Sequence, residues 1–462
     1  IIYFYLLVRI VFGKEVALFS AIMLAVFPPY IYYSSRSMFH NVPFTVFLVI
    51  GLYYLALVAR KEGPQGKSEA SASLTLIEKF KQLPGRSFWV KSLYAALAGL
   101  AIGTSAAIRT SELLWMAPML VVLWTLNIRR VNPANLIVFF SFFILSLLPV
   151  MYWNQILYGS PLSGGYPEMN RSIATLGEAS AAIVNTQLIK NTDLFTQTVE
   201  MAKNAIFHFG FKPDQSYTIL YHYFIRMFWW IFWPAVLGIS LVATAKGREN
   251  RSRYAYMAAF LVPLAILVVY YGSWEFYDNP NKSERTIGNS YTRYWLPIYL
   301  GAMPFASLFI LSFTNFVNKS RFFILITRFS ILSAICIISV YYVVIGSEEG
   351  LVQTAYKSMP ARQEYKQVIG MTEYNSVLIT RYHDKLFFPD RKIVVGDFSD
   401  MNMVREYAKL GALTPVYYYN FSLPEKDLDY LNNGRLREAG LSLSEVSLIT
   451  EDFTLYKLEP LR

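Results

Sequence analysis

The sequence predicts a polytopic α-helical membrane protein, with about ten transmembrane helices followed by a small C-terminal extracytoplasmic α/β domain. Three observations predict it. Of the 462 residues, 55% are hydrophobic and only 16% are charged, against the roughly 25% charged residues of an ordinary soluble domain. The apolar residues fall in long runs almost free of charge, too long to be hidden in a globular core. The last hundred or so residues have a different composition, in which short apolar strands alternate with amphipathic helices. A soluble enzyme is excluded on these grounds.

Taken in order, Ile1 to Phe12 reads as the second half of a spanning helix. The chain begins with Ile rather than Met and has neither a charged start nor a small-residue cleavage site, so the expectation is an N-terminally truncated fragment and not a signal peptide. Further apolar runs lie at about 16–33, 42–59, 92–108, 113–127, 135–153, 218–243, 254–272, 295–314 and 322–345. The run 113–127 is short for a bilayer. These runs make up a first domain, 1–346, with a Gly/Ser/Lys-rich linker at about 60–91 and a long loop at about 154–217. In the second domain, 347–462, Val377 to Thr380, Lys392 to Val395 and Val416 to Tyr419 read as strands. Met401 to Leu410 and Glu425 to Ala439 read as helices. Val446 to Ile449 and Phe453 to Leu458, separated by Thr450-Glu451-Asp452, read as a closing hairpin.

The formal charge is +11. In a polytopic chain such an excess reflects the bias of Lys and Arg toward cytoplasmic loops, and nucleic acid is not expected as a partner. Arg9, Lys14, Arg60, Arg129, Arg130, Arg251, Arg253, Arg321 and Arg328 fall on one set of alternate connections, which is therefore cytoplasmic. The other connections, at 34–41, 109–112, 154–217 and 273–293, then lie outside together with the tail, and the expected location is the plasma membrane. The single cysteine, Cys336, has no intrachain partner for a disulfide.

Ionisable groups cost least at span ends, and there they are most often functional. Ser34-Ser35-Arg36 leads to His40-Asn41 between two spans, and Arg109-Thr110-Ser111-Glu112 joins two more. Arg36, Arg109 and Arg293 are suited to bidentate phosphate binding. Each can equally snorkel to the interface, and Arg109 can pair with Glu112. His40 is a candidate substrate contact, although a lone His in a turn is commonly only a polar interface residue. Of the carboxylates in the loop 273–293, Glu275 and Asp278 are the catalytic candidates. A divalent metal enters only if they converge, and no other cofactor is expected. Arg293 abuts Tyr294-Trp295-Leu296-Pro297 at the membrane edge, which adds Tyr294 to the substrate-binding set. In the long loop, Tyr166 can stack on a sugar.

Four stretches together resemble the polytopic lipid-phosphate-sugar glycosyltransferases of the GT-C superfamily, nearest the protein O-mannosyltransferase and aminoarabinose transferase branch. They are Gly13-Lys14-Glu15 leading to Phe27-Pro28-Pro29-Tyr30 and Ser35-Arg36; Gly99 to Gly103 leading to Arg109; Tyr158-Gly159-Ser160-Pro161 with Gly164-Gly165-Tyr166; and Arg293-Tyr294-Trp295-Leu296-Pro297. The resemblance implies transfer of a sugar from a polyprenyl-phosphate-linked donor to a lipid, glycan or protein acceptor at the outer membrane face. It also implies that the main catalytic carboxylate belongs to a first outer loop ahead of Ile1. Many relatives carry an Asp several residues after the Arg of the Ser35-Arg36 stretch. Here Asn41 stands there, preceded by His40; an amide can orient a hydroxyl but cannot act as base. Membrane lipids are the remaining expected partners. The competing readings are a transporter or flippase of lipid-linked sugars and a non-catalytic assembly subunit. Spans nearly free of charge favour an enzyme working at one face.

Overall fold

The computed structural model describes residues 1–36, 39–60, 86–164, 207–245, 247, 250–276, 278, 285–317, 320–346 and 349–461. The linker segment 61–85 and most of the long loop, with Tyr166, lie outside the described residues. Contacts divide the chain into two compact units, Ile1–Leu351 and Val352–Arg462.

The first unit is helical: α1 Ile2–Phe12, α2 Lys14–Ala25, α3 Pro28–Ser35, α4 Asn41–Val58, α5 Arg86–Ile108, α6 Leu113–Asn127, α7 Pro133–Tyr158, α8 Pro213–Leu220, α9 Trp229–Thr244, α10 Arg251–Gly272, α11 Ser290–Tyr294, α12 Leu296–Val317 and α13 Arg321–Val344. Six helices among the described residues are long and apolar enough to cross a membrane, or eight elements if two bent pairs each count as one span. The ten expected spans are corrected accordingly. The 11 residues of α1 and the 15 of α6 rise only about 16 and 22 Å, short of a hydrocarbon core of about 30 Å. The run 16–33 is two helices bent by 48°, because Pro28 and Pro29 cannot continue the hydrogen-bond ladder of α2. The run 218–243 is bent by 101°, where a π-helical turn at Tyr221–Arg226 gives way to Phe228 outside the helical region (φ −125°, ψ 43°).

Burial ranks these helices by position. Two-thirds (67%) of the apolar window of α12 is buried, whereas α7 and α13 bury only 11% of theirs. Apolar residues all round a helix are thus core in α12 and lipid-facing surface in α7 and α13. Within α12 the buried Tyr299 packs on Phe27 and Phe228, and Phe305 on Phe12. Close helix approach relies on small residues. A Cβ built on Gly99 would lie 2.2 Å from the Phe139 carbonyl oxygen, and one on Gly103 would lie 2.6 Å from that of Phe143. Only glycine at both positions lets α5 lie against α7.

The second unit opens with α14 Leu351–Met371 and holds β1 Val377–Thr380, α15 Asp384–Phe387, β2 Lys392–Val395, α16 Met401–Gly411, β3 Val416–Phe421, α17 Glu425–Asn433, α18 Arg435–Glu438, β4 Leu441–Leu448 and β5 Phe453–Pro460. The sheet order is β2-β1-β3-β5-β4; β1 pairs in parallel with β2 and β3, while β5 is antiparallel to β3 and β4. Alternate strand residues point to opposite faces, and both faces are covered. Val377, Ile379, Val416 and Tyr418 bury with Val404 and Tyr407 of α16. Leu378, Tyr417 and Tyr419 bury with Val368 of α14. Three strands and α16 lie where the sequence places them. The helix expected over 425–439 breaks at Gly434, and β4 begins at Leu441, five residues ahead of the expected hairpin strand.

Candidate functional site

Helix polarity alone brings several chain segments to one end of the first unit. The C-terminal ends of α3, α5 and α10 meet the N-terminal ends of α4, α6 and α12 there, and hydrogen bonds tie them together. Tyr33 Oη lies 2.8 Å from Thr292 Oγ1, and the Lys212 amide donates to Ser273 Oγ at 3.3 Å. The connections 34–41, 109–112 and 273–293, which the sequence reading expects on one side of the membrane, all supply residues to this end.

At its centre is a buried ion pair. Arg109 follows α5 in an extended backbone (φ −145°, ψ 87°), and a short 3₁₀ turn, Thr110–Glu112, carries the chain into α6. The turn sets Glu112 beneath the guanidinium: Arg109 Nη2 lies 2.6 Å from Glu112 Oε1, with side chains only 7% and 2% exposed. Tyr271, one residue before the end of α10, accepts from Arg109 Nη2 at 3.0 Å and donates to Glu112 Oε1 at 2.8 Å. The Trp115 indole N–H donates to Glu112 Oε2. Three donors hold this carboxylate, which anchors the groups around it.

The second guanidinium is held differently. Arg293 lies on α11, where its Nη2 donates to Ser290 Oγ at 2.6 Å. Its Cζ sits 5.3 Å from the Phe39 ring centroid and 5.1 Å from that of Tyr294. Among the described residues no carboxylate pairs with Arg293, and its buried Nε has no acceptor. Tyr294 is the element shared by the two arginines. Arg109 Cζ lies 4.5 Å from its ring, and the ring stacks on Tyr271 with centroids 4.5 Å apart and an interplanar angle of 10°. Two cations on one aromatic platform repel each other; Glu112 neutralises one and leaves Arg293 with a net positive charge.

His40 closes the cluster from the start of α4. Its Nε2 lies 3.1 Å from Arg109 Nη1. A guanidinium can only donate, so Nε2 is the acceptor and the imidazole proton sits on Nδ1. Partial burial, and then the charges of Arg109 and Arg293, push the His40 pKa down to about 4. At neutral pH the ring is therefore an uncharged acceptor. Next to it Asn41 is buried, and its Oδ1 meets no hydrogen-bond donor among the described residues. Such an amide oxygen is costly unless another group reaches it.

The remaining candidates lie further from this cluster. Arg36 is exposed at the end of α3 and folds back on Tyr32, donating to its hydroxyl with Cζ 5.2 Å from the ring centroid. The Asp278 Oδ2 accepts the Ser290 amide at 2.7 Å and so fixes the turn that presents Ser290 Oγ to Arg293. Glu275 is exposed beside the aromatic pair Trp274 and Phe276. Among the described residues no three His, Cys, Asp or Glu side chains gather as a metal site would require. Tyr166 lies outside the described residues. Reading span ends in the sequence did not single out Tyr271, Trp115 or Phe39, which sit in apolar or aromatic runs. Their one sequence signal is aromatic residues at the same span ends as the arginines.

Residues 1–74 match the family of dolichyl-phosphate-mannose-protein mannosyltransferases. No curated protein matches the chain. The match takes in α1 to α4 and thus Arg36, His40 and Asn41, while Arg109 and Arg293 join them only through the fold.

Proposed function

We propose that this chain, whose residues 1–74 are similar to the dolichyl-phosphate-mannose-protein mannosyltransferases, is a membrane glycosyltransferase using a lipid-phosphate-linked sugar, and that Arg293 holds the donor phosphate. The observation that carries this reading is the guanidinium of Arg293, buried in part, aligned by two rings and Ser290, and free of any described carboxylate. A phosphate is the partner whose charge and geometry fit it.

Transfer is then an inverting displacement. The acceptor hydroxyl oxygen attacks the anomeric carbon, the bond from that carbon to the phosphate oxygen breaks with its electron pair, and a carboxylate takes the hydroxyl proton. Charge develops on the departing lipid phosphate, where Arg293 stabilises it more in the transition state than in the ground state. Arg109, compensated by Glu112, acts by holding the Tyr294 platform and His40. The neutral His40 and the unpaired Asn41 Oδ1 accept from sugar or acceptor hydroxyls. The main base is the carboxylate expected ahead of Ile1, Glu275 is the candidate base among the residues at this end, and Asp278 positions Arg293 through Ser290. Arg36 would reach the phosphate only by leaving the Tyr32 hydroxyl, and Tyr166, outside the described residues, remains the sugar contact expected from the sequence.

The outer membrane face is the side we assign to this end. Arg9, Lys14, Arg60, Arg130, Arg251 and Arg321 all lie at the opposite end of their helices, as the distribution of Lys and Arg in multi-pass proteins requires of the cytoplasmic side. The α/β unit and the acceptor, whether lipid, glycan or protein, are then outside as well.

The test is sugar transfer from a panel of polyprenyl-phosphate donors by full-length protein in membranes. Arg293→Ala is expected to lower turnover by about 10²- to 10³-fold, the usual loss for one preorganised charge-stabilising donor, at unchanged protein level. Turnover within twofold of the unsubstituted protein would remove the phosphate role of Arg293. Donor that binds and crosses the bilayer without any product would replace transfer by flipping.

A further inference from the structure

The end of the first unit away from Arg293 holds a feature that the transfer reaction does not use. A cavity of about 1350 Å³ opens among α1, α4, α6, α7 and α10, larger than the roughly 300–1,000 Å³ of ordinary small-molecule sites. Its walls are aliphatic and aromatic, among them Leu52, Leu120, Phe139 and Phe143. Four arginines line it: Arg9, Arg60, Arg130 and Arg251. All four belong to the same end of the bundle: the last turn of α1, the residues just after α4 and α6, and the first residue of α10. The Arg251 Nη2 donates to the Leu126 carbonyl at 2.8 Å, tying two of these helix ends together. None of the four forms an ion pair with a described residue, although Glu15 at the same end pairs with Arg328.

An apolar chamber with unpaired guanidiniums at one end has the chemistry of a lipid that carries an anionic headgroup. We propose that this cavity binds an anionic phospholipid of the leaflet opposite the sugar-transfer end, with acyl chains among α1, α4 and α6 and its phosphate on Arg60, Arg130 and Arg9. A basic pocket between transmembrane helices is the form such recognition takes, and guanidiniums match phosphate bidentately. A free anion would have no use for the apolar volume, and a neutral lipid none for the arginines. This lipid is distinct from the sugar donor, whose phosphate is placed at the other end of the bundle.

The experiment uses the full-length protein purified from membranes, with co-purified lipid identified by native mass spectrometry and retention measured in vesicles of phosphatidylglycerol and phosphatidylcholine. The unsubstituted protein is expected to retain phosphatidylglycerol selectively. The double substitution Arg60→Ala with Arg130→Ala is expected to weaken that selectivity about tenfold or more, whereas Arg321→Ala, at the same end but outside the cavity, leaves it unchanged. Ala56→Phe, which fills the chamber and spares the arginines, is expected to displace the lipid too. Equal retention of both lipids, or loss with Arg321→Ala alone, overturns the proposal, as does retention unaffected by Ala56→Phe. If the double substitution instead abolishes binding of the polyprenyl-phosphate donor, the cavity is the donor's and the phospholipid assignment falls, while the Arg293 assay reports independently on transfer.

Discussion

At one end of the helical unit Arg109 and Glu112 form an ion pair with side chains only 7% and 2% exposed; at the other, Arg328 pairs with a Glu15 that is 71% exposed. The two pairs have similar chemistry and different consequences. Removing charges from water is costly, and a buried guanidinium persists only where a carboxylate, a hydroxyl and aromatic faces replace its hydration. Glu112, Tyr271 and Tyr294 provide those replacements. Arg328 is itself only 19% exposed, but Thr314 and Asn315 share its hydrogen bonds with a Glu15 that stays in water, so it depends less on its carboxylate. The contrast shows that an arginine depends on its carboxylate most where that carboxylate is buried with it.

The largest expected effect comes from breaking the buried pair. Glu112→Ala leaves the Arg109 charge uncompensated and is expected to destabilise the protein by about 3–5 kcal/mol, read as a fall in unfolding temperature or a loss of folded protein in detergent. A wild-type melting profile would show that the pair is solvated after all. Tyr271→Phe keeps the ring that stacks on Tyr294 and removes two hydrogen bonds, with an expected cost of about 1–3 kcal/mol; a neutral outcome would mean that stacking alone positions Tyr294.

His40 provides a pH-dependent version of the comparison. Its folded pKa of about 4 lies below the ordinary 6.5, so between these values the unfolded chain binds the proton and the folded one does not. The stability this contributes is fully present above about pH 6.5 and is lost as pH falls toward 4. His40→Gln is expected to flatten the decline of thermal stability over that window; an unaltered slope would place the titration elsewhere. The smallest effect is expected at the Arg328–Glu15 pair, where the exposed carboxylate is removed by Glu15→Ala and stability changes by no more than about 1 kcal/mol. A larger loss would make the two ends alike and undo the distinction.

Much of the fold was legible because burial in lipid and burial in protein leave different marks. The runs that became α4, α5, α7, α10, α12 and α13 are apolar along their whole length, which no soluble helix requires. In the tail, Val377 to Thr380 and Lys392 to Val395 were bounded correctly, since short apolar β-branched runs between turns admit few alternatives. Less legible were the breaks. Hydropathy averages over a run, so the 101° bend at Phe228 left no trace in 218–243, although Pro28-Pro29 did offer a signal for the bend between α2 and α3. Arg109 with Glu112 three residues on was readable as a local pair. Tyr271 was not, because nothing in an apolar run marks the one tyrosine whose hydroxyl faces a carboxylate 159 positions away.

By itself the sequence determined that this chain lives in a membrane, that most of the basic residues ahead of the C-terminal tail fall on alternate connections, and that an α/β unit follows the helices. These properties follow from composition and period, which act locally and need no knowledge of partners. Only the tertiary structure decided that Arg109 is compensated by a carboxylate while Arg293 meets none among the described residues. Coulomb interactions and desolvation depend on distances between groups brought together from α4, α5, α10 and α11, and spacing along the chain carries no record of those distances.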